Sequence, residues 1–124
     1  MDTPTTKKFI VVAEDNTLIA KVLSNKLTQA GYEVLVTANG EEALQAIISR
    51  KPDLLLLDLI MPIKDGFAVL KELRANADLA DIKVIITSEL QQNEDIQKVQ
   101  QMGVLGVFDK ANLQAIIEQL PRFL

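Results

Sequence analysis

Pro52-Asp53-Leu54-Leu55-Leu56-Leu57-Asp58-Leu59-Ile60-Met61-Pro62 is the stretch that decides the fold of this chain. Four consecutive leucines lie between two aspartates, with a proline before and another after. Leucine is a modest strand former, and propensity alone would permit a helix. The run is too short for a helix, and Pro52 breaks the chain just ahead of it, so 53–58 reads as a strand. An apolar run without polar alternation suits a strand covered on both faces, the usual situation in a parallel sheet. Asp58 then sits at the carboxyl end of that strand.

Outward from this strand the same alternation repeats. Upstream, Lys8 to Ala13 (KFIVVA) is a first strand rich in β-branched residues. Leu18, Ile19, Val22, Leu23 and Leu27 follow at helical spacing, and Gly31 closes that helix. Glu33 to Thr37 is a second strand, and Asn39-Gly40 turns into a helix carrying Ala43, Leu44, Ile47 and Ile48. Downstream, Met61-Pro62 turns the chain, and Asp65 caps a helix that carries Phe67, Leu70 and Leu73. Ile82 to Thr87 is the fourth strand, and a helix over 94–102 presents Ile96, Val99 and Met102 before Gly103. Val107 to Asp109 is the fifth strand. Asn112 caps a last helix with Leu113, Ile116, Ile117 and Leu120, which Pro121 limits. Five strands alternating with five helices predict an α/β domain with a parallel sheet and right-handed crossovers. Ligands of such folds sit at the carboxyl ends of the strands.

The composition narrows the chemistry. The chain has 124 residues, enough for one domain. Leu, Ile and Val supply 40 of them, which is ample for a core. Cys is absent, which excludes disulfides, thiol catalysis and iron–sulfur clusters. His is absent as well, which excludes Ser-His-Asp triads and imidazole ligands. Any metal site must therefore use oxygen, which points to Mg²⁺, Mn²⁺ or Ca²⁺. The net charge of −4 makes a poor polyanion binder, so direct nucleic-acid binding is not expected. No apolar run has membrane-spanning length. Residues 1–6 are short and polar and read as a flexible tail, leaving 7–124 as the domain, with a cytoplasmic location expected.

The strand ends hold the polar residues that matter. Strand one ends in Glu14-Asp15, strand three in Asp58, strand four in Thr87-Ser88 and strand five in Asp109-Lys110. Each alone has a bland explanation as a cap, turn or surface charge. Together they bring carboxylates, a hydroxyl and an ammonium to one sheet edge. Crowded carboxylates repel unless a cation lies among them, and a hard divalent ion suits such a site. With no His or Cys in the chain, a carboxylate is the available nucleophile, and aspartyl phosphates are known covalent intermediates.

These residues resemble the receiver domain of two-component response regulators, of the chemotaxis-receiver-like superfamily. The resemblance rests on Glu14-Asp15, on the D-x-x-M-P-x-x-D-G segment from Asp58 to Gly66, on Thr87-Ser88 and on Lys110. It covers nearly the whole chain. It implies a flavodoxin-like (βα)5 doubly wound sandwich with five parallel strands in the order 2-1-3-4-5. It implies Asp58 as phosphoacceptor, assisted by Thr87 and Lys110. Glu14, Asp15, Asp58 and the Ile60 backbone carbonyl would hold Mg²⁺, with Mn²⁺ as a substitute. The donor would be a phosphohistidine on a sensor histidine kinase or a histidine phosphotransfer protein. Phosphorylation would switch binding to a downstream protein target, or homodimer formation through the fourth helix, fifth strand and fifth helix. Such a protein is a phosphorylation switch that assists its own phosphorylation and dephosphorylation, and not an enzyme in the ordinary sense. The sequence ends soon after the fifth helix, as expected of a single-domain regulator or of a receiver cut from a longer protein.

Three departures bear on this resemblance. Ala111 follows Lys110 where the family usually has proline after a cis bond, and a non-proline cis bond costs about 2.5–4 kcal/mol. Either the bond is strained or the lysine loop differs. Val107 stands where the family has its switch aromatic, and Phe108 is next door, so alternation predicts that the ring faces the opposite side of the sheet. Glu14 replaces the commoner aspartate. Ile60 and Glu89 occupy positions that, in the family, border the path of the hydrolytic water, and apolar Ile60 is expected to slow dephosphorylation. The fourth helix is rich in Gln (Gln92, Gln97, Gln100, Gln101), a solvated face that the resemblance would make a docking face.

Other readings separate on single features. A phosphorylation-independent pseudo-receiver would explain Val107 and Ala111 but not the retained acidic and basic residues. A flavodoxin-like electron carrier would need a phosphate loop where Glu14-Asp15-Asn16 is acidic. An aspartate-nucleophile phosphatase would need a second Asp where Ile60 stands.

Overall fold

The computed structural model describes residues 7–89 and 93–124; for 93 and 94 only the backbone is described. The expected tail at 1–6 and Gln92 lie outside the described residues. The elements are β1 (Phe9–Ala13), α1 (Thr17–Gln29), β2 (Glu33–Thr37), α2 (Gly40–Ser49), β3 (Leu54–Asp58), α3 (Gly66–Ala75), β4 (Val84–Ser88), α4 (Asn93–Gln100), β5 (Gly106–Asp109) and α5 (Leu113–Gln119). A short 3₁₀ turn, Leu120–Arg122, continues α5 through Pro121, where the sequence predicts an end. The strands form one parallel sheet in the order β2-β1-β3-β4-β5, as expected.

β3 is buried along its whole length because it serves two cores. Leu55 and Leu57 pack with Val11, Ile86, Ile47, Leu70 and Leu73 on one face. Leu54 and Leu56 pack with Ile10, Ile85, Leu23, Leu27 and Ile116 on the other. Alternate side chains of a strand point to opposite faces, so four leucines in a row feed both layers. Side-chain caps open α1, α2, α3 and α5: Asn16, Asn39, Asp65 and Asn112 accept from the N–H groups of Ile19, Glu42, Ala68 and Ala115.

The structure corrects three stripe residues and several boundaries. Leu18 is 71% exposed, Val22 37% and Ile48 69%. The inward face of α1 is Ala20, Leu23 and Leu27, and that of α2 is Ala43, Leu44 and Ile47. Both helices carry more apolar residues than one stripe can bury, so spacing alone left the choice of face ambiguous. β3 starts at Leu54 because the Asp53 carboxylate turns to accept the Phe9 N–H at 2.7 Å. β4 starts at Val84, since Ile82 still donates to Leu79 in the preceding turn at 3.2 Å. α4 ends at Gln100, and Met102 lies in the turn that follows, packed against the α2–α3 core.

Candidate functional site

The carboxyl ends of β1, β3, β4 and β5 meet at one edge. The sheet ladder pairs Asp58 with Thr87 and Ser88 with Asp109. Asp58 is 3% exposed and Glu14 3%. Carboxylate oxygens of Glu14, Asp15 and Asp58 all lie within 4.8 Å of one another. Asp15, Asn16, Asp58, Ile60, Ser88, Glu89 and Lys110 line a cleft of about 270 Å³ above them.

Lys110 holds this cluster together. Its ammonium lies 2.9 Å from Glu14 Oε1 and 2.9 Å from Asp58 Oδ2. Its own backbone N–H donates to the Ser88 carbonyl at 3.0 Å, which seats the residue beside β4. Burial works against the ammonium's charge, but its bonds to Asp58 and Glu14 outweigh that and hold its pKa above the usual lysine value. Glu14 is pushed the other way. Burial raises its pKa, against the opposing effects of the Asn16 N–H and Lys110, and the nearby Asp58 charge adds to the rise. Asp58 Oδ1 accepts the Ile60 N–H at 3.3 Å.

Small residues let the backbone close around Asp58. A Cβ at Gly66 would collide with the Asp58 carbonyl oxygen, and one at Gly40 with the Lys64 carbonyl oxygen. Ile63 between them has φ +69, and Lys64 N–H donates to the Pro62 carbonyl at 2.7 Å across it. That is a γ-turn, a strained conformation for a β-branched residue.

Glu14, Asp15, Asp58 and Lys110 are thus brought together as the sequence predicts, and Ile60 stands at the cleft rim with 69% of its surface exposed. Thr87 lies beneath, 3% exposed beside Asp58, while Ser88 and Asn16 reach the cleft wall. The pairing of Glu14 with Lys110 is not visible in the sequence. The Lys110–Ala111 bond is trans, since no described peptide bond is cis. The turn there is closed instead by Asp109, whose carboxylate accepts the Ala111 N–H at 2.9 Å and whose carbonyl accepts from Asn112 at 3.0 Å. Phe108 packs into the α1–α5 core and Val107 against the α2–α3 core, the opposed orientation that alternation predicts. Among the described residues no helix is long and apolar enough to cross a membrane.

Comparison with known proteins agrees with this fold. A family model, the response regulator receiver domain, matches residues 10–120. The chain is similar to the probable transcriptional regulator ycf27 of Cyanophora paradoxa, 36% identical over 94% of this chain but only 49% of that protein. It is similar to the polar-differentiation response regulator DivK of Brucella anthropi, 30% identical over 94% of this chain and 96% of the relative. Among solved structures, the phosphorylated cyanobacterial phytochrome response regulator RcpA superposes with a TM-score of 0.85 at 27% identity, covering 95% of this chain and 94% of that one. The chain belongs to the response regulator receiver family. It is a receiver domain of two-component signalling.

Proposed function

We propose that Asp58 accepts a phosphoryl group from a phosphohistidine of a sensor kinase or phosphotransfer protein. The observation that carries this is the setting of Asp58, buried yet open to a cleft, beside one ammonium and two further carboxylates. An Asp58 carboxylate oxygen attacks phosphorus, the N–P bond of the donor breaks, and its electron pair returns to the imidazole nitrogen. Lys110 stays beside the transferring oxygens and offsets their charge. The Thr87 hydroxyl bonds a phosphoryl oxygen once the group is in place.

The all-oxygen donor set fits a hard divalent ion, Mg²⁺ or Mn²⁺. Glu14, Asp15, Asp58 and the Ile60 carbonyl would hold it. When bound, it supplies positive charge that offsets both the carboxylates and the phosphoryl group. Phosphorylation then shifts a conformational equilibrium at the α4–β5–α5 face, which serves a downstream target or a second copy of the chain, in the cytoplasm. RcpA, a fold relative at 27% identity, has been solved in a phosphorylated form, which supports the reading. Ile60 at the rim slows hydrolysis, so Ile60→Asn should shorten the phosphoryl half-life severalfold; an unchanged half-life counts against that role.

Phosphorylation from acetyl phosphate, followed by hydride reduction and peptide mapping, should place the modification on Asp58. Modification at another residue would reject the assignment. The pseudo-receiver reading keeps one observation in its favour, Val107 in place of an aromatic, and it predicts no modification at all.

A further inference from the structure

Arg74 is a partly buried cation with no carboxylate in ion-pair distance among the described residues. It stands in the last turn of α3. Its Nε donates to the Met102 carbonyl at 2.9 Å, Nη1 to Ala80 and Ile82 at 3.0 Å each, and Nη2 to Gly103 at 3.1 Å. Two of these carbonyls belong to the loop between α3 and β4. The other two belong to the turn that ends α4. Burial alone acts on the guanidinium and pushes its pKa down. Four acceptors set around a planar fork match arginine, and the three-donor ammonium of lysine cannot reproduce them.

Among the described residues α4 has few other holds. Val99 is fully buried, while Ile96 is only half-buried. Lys98 lies 4.8 Å from the centre of the Phe67 ring on α3. Just beyond the helix, the Leu105 N–H donates to Val84 at 2.8 Å. Among the described residues, and apart from half-buried side chains, these contacts all fall from Lys98 onward. The other end of α4 follows β4, whose carboxyl end carries Thr87 and Ser88 at the phosphoacceptor edge.

We propose that Arg74 is a positioning residue that makes the C-terminal end of α4 a fixed pivot. A change at Thr87 then tilts the helix about that end instead of sliding it along α3. The proposal rests on the reading of Asp58 as phosphoacceptor.

Amide hydrogen exchange on the full chain tests it, with Mg²⁺ present and with or without excess acetyl phosphate. In the native chain, phosphorylation should alter exchange over 95–98, while the amides of Met102, Gly103 and Leu105 keep their protection. In Arg74→Met those three should exchange about tenfold faster in both states, and should now respond to phosphorylation as well. Arg74→Lys keeps the charge but loses the fork and should behave as Arg74→Met; it carries the test if the methionine variant does not fold. Faster exchange with an unaltered pattern of response would make Arg74 a brace only and overturn the pivot. So would a native chain whose Met102 to Leu105 amides respond as strongly as 95–98. Intact mass on the same samples separates the remaining case: no phosphoryl uptake by the native chain overturns the reading of Asp58 and the proposal with it.

Discussion

Two buried or partly buried cations sit at opposite ends of the sheet, and their surroundings differ in kind. Lys110, at the carboxyl ends of the strands, is held by the carboxylates of Glu14 and Asp58. Arg74, near the amino ends of β4 and β5, is held by four backbone carbonyls. A carboxylate can be protonated, bind a metal or accept a phosphoryl group, so the partners of Lys110 can change their charge. A backbone carbonyl can ligate a metal but is neither protonated at ordinary pH nor phosphorylated, so the partners of Arg74 keep a constant charge. The molecule thus places a rewritable charge cluster at one end and a fixed one at the other.

Paired substitutions should expose the contrast, and backbone crowding gives the largest effect. Gly66→Ala drives a methyl group into the Asp58 carbonyl, so it should lower the melting temperature sharply and abolish phosphorylation. Gly103→Ala at the Arg74 end meets nothing closer than 3.7 Å and suffers mainly from its φ of +80, a cost of roughly 1–2 kcal/mol. Thermal melts and mass after acetyl phosphate check both. Equal losses would mean that the two ends are equally rigid.

Removing the cations comes next in size. Lys110→Met strands two buried carboxylates and should cost about 3 kcal/mol in urea titrations without metal. Mg²⁺ should restore much of it, because the ion takes over the neutralising role. Arg74→Met strands carbonyls instead, at about 1–3 kcal/mol, and Mg²⁺ should restore nothing. Rescue of both variants, or of neither, would break the comparison.

A smaller effect follows from Glu14. Its folded pKa lies above the unfolded value near 4.5, so the folded state binds its proton more tightly. The resulting stability is present below the unfolded pKa and is lost as pH rises through the folded value. Without metal, the stability of the native chain relative to Glu14→Gln should therefore fall as pH rises from about 4.5 toward neutrality. A rising difference across that window would show that the Lys110 bond dominates Glu14. Smallest of all is Lys51→Ala. It breaks an ion pair to Asp81 whose side chains are 48% and 77% exposed, and it should leave the melting temperature unchanged within error.

The rewritable end was legible in the sequence and the fixed end was not. Asp58 announced itself because four leucines and two prolines leave no other reading of the strand before it. Glu14, Asp15 and Lys110 followed because strand ends in a parallel sheet converge. The reversal of Val107 and Phe108 followed from alternation alone. Arg74 was invisible because its partners are backbone carbonyls, which no residue identity encodes. The Glu14–Lys110 pair spans 96 positions and depends on side-chain reach. Leu18, Val22 and Ile48 share helical spacing with the buried residues because α1 and α2 are apolar beyond one stripe, so packing, not spacing, chooses the face. The trans Lys110–Ala111 bond depends on the Asp109 turn, a local solution that only coordinates reveal.

The most direct test of the central claim is intact-protein mass after incubation with acetyl phosphate, with and without Mg²⁺, beside Asp58→Ala. The account predicts one phosphoryl addition that requires Mg²⁺ and disappears in Asp58→Ala. A folded chain that binds Mg²⁺ yet gains no mass, or an Asp58→Ala variant that gains it equally, would contradict the account.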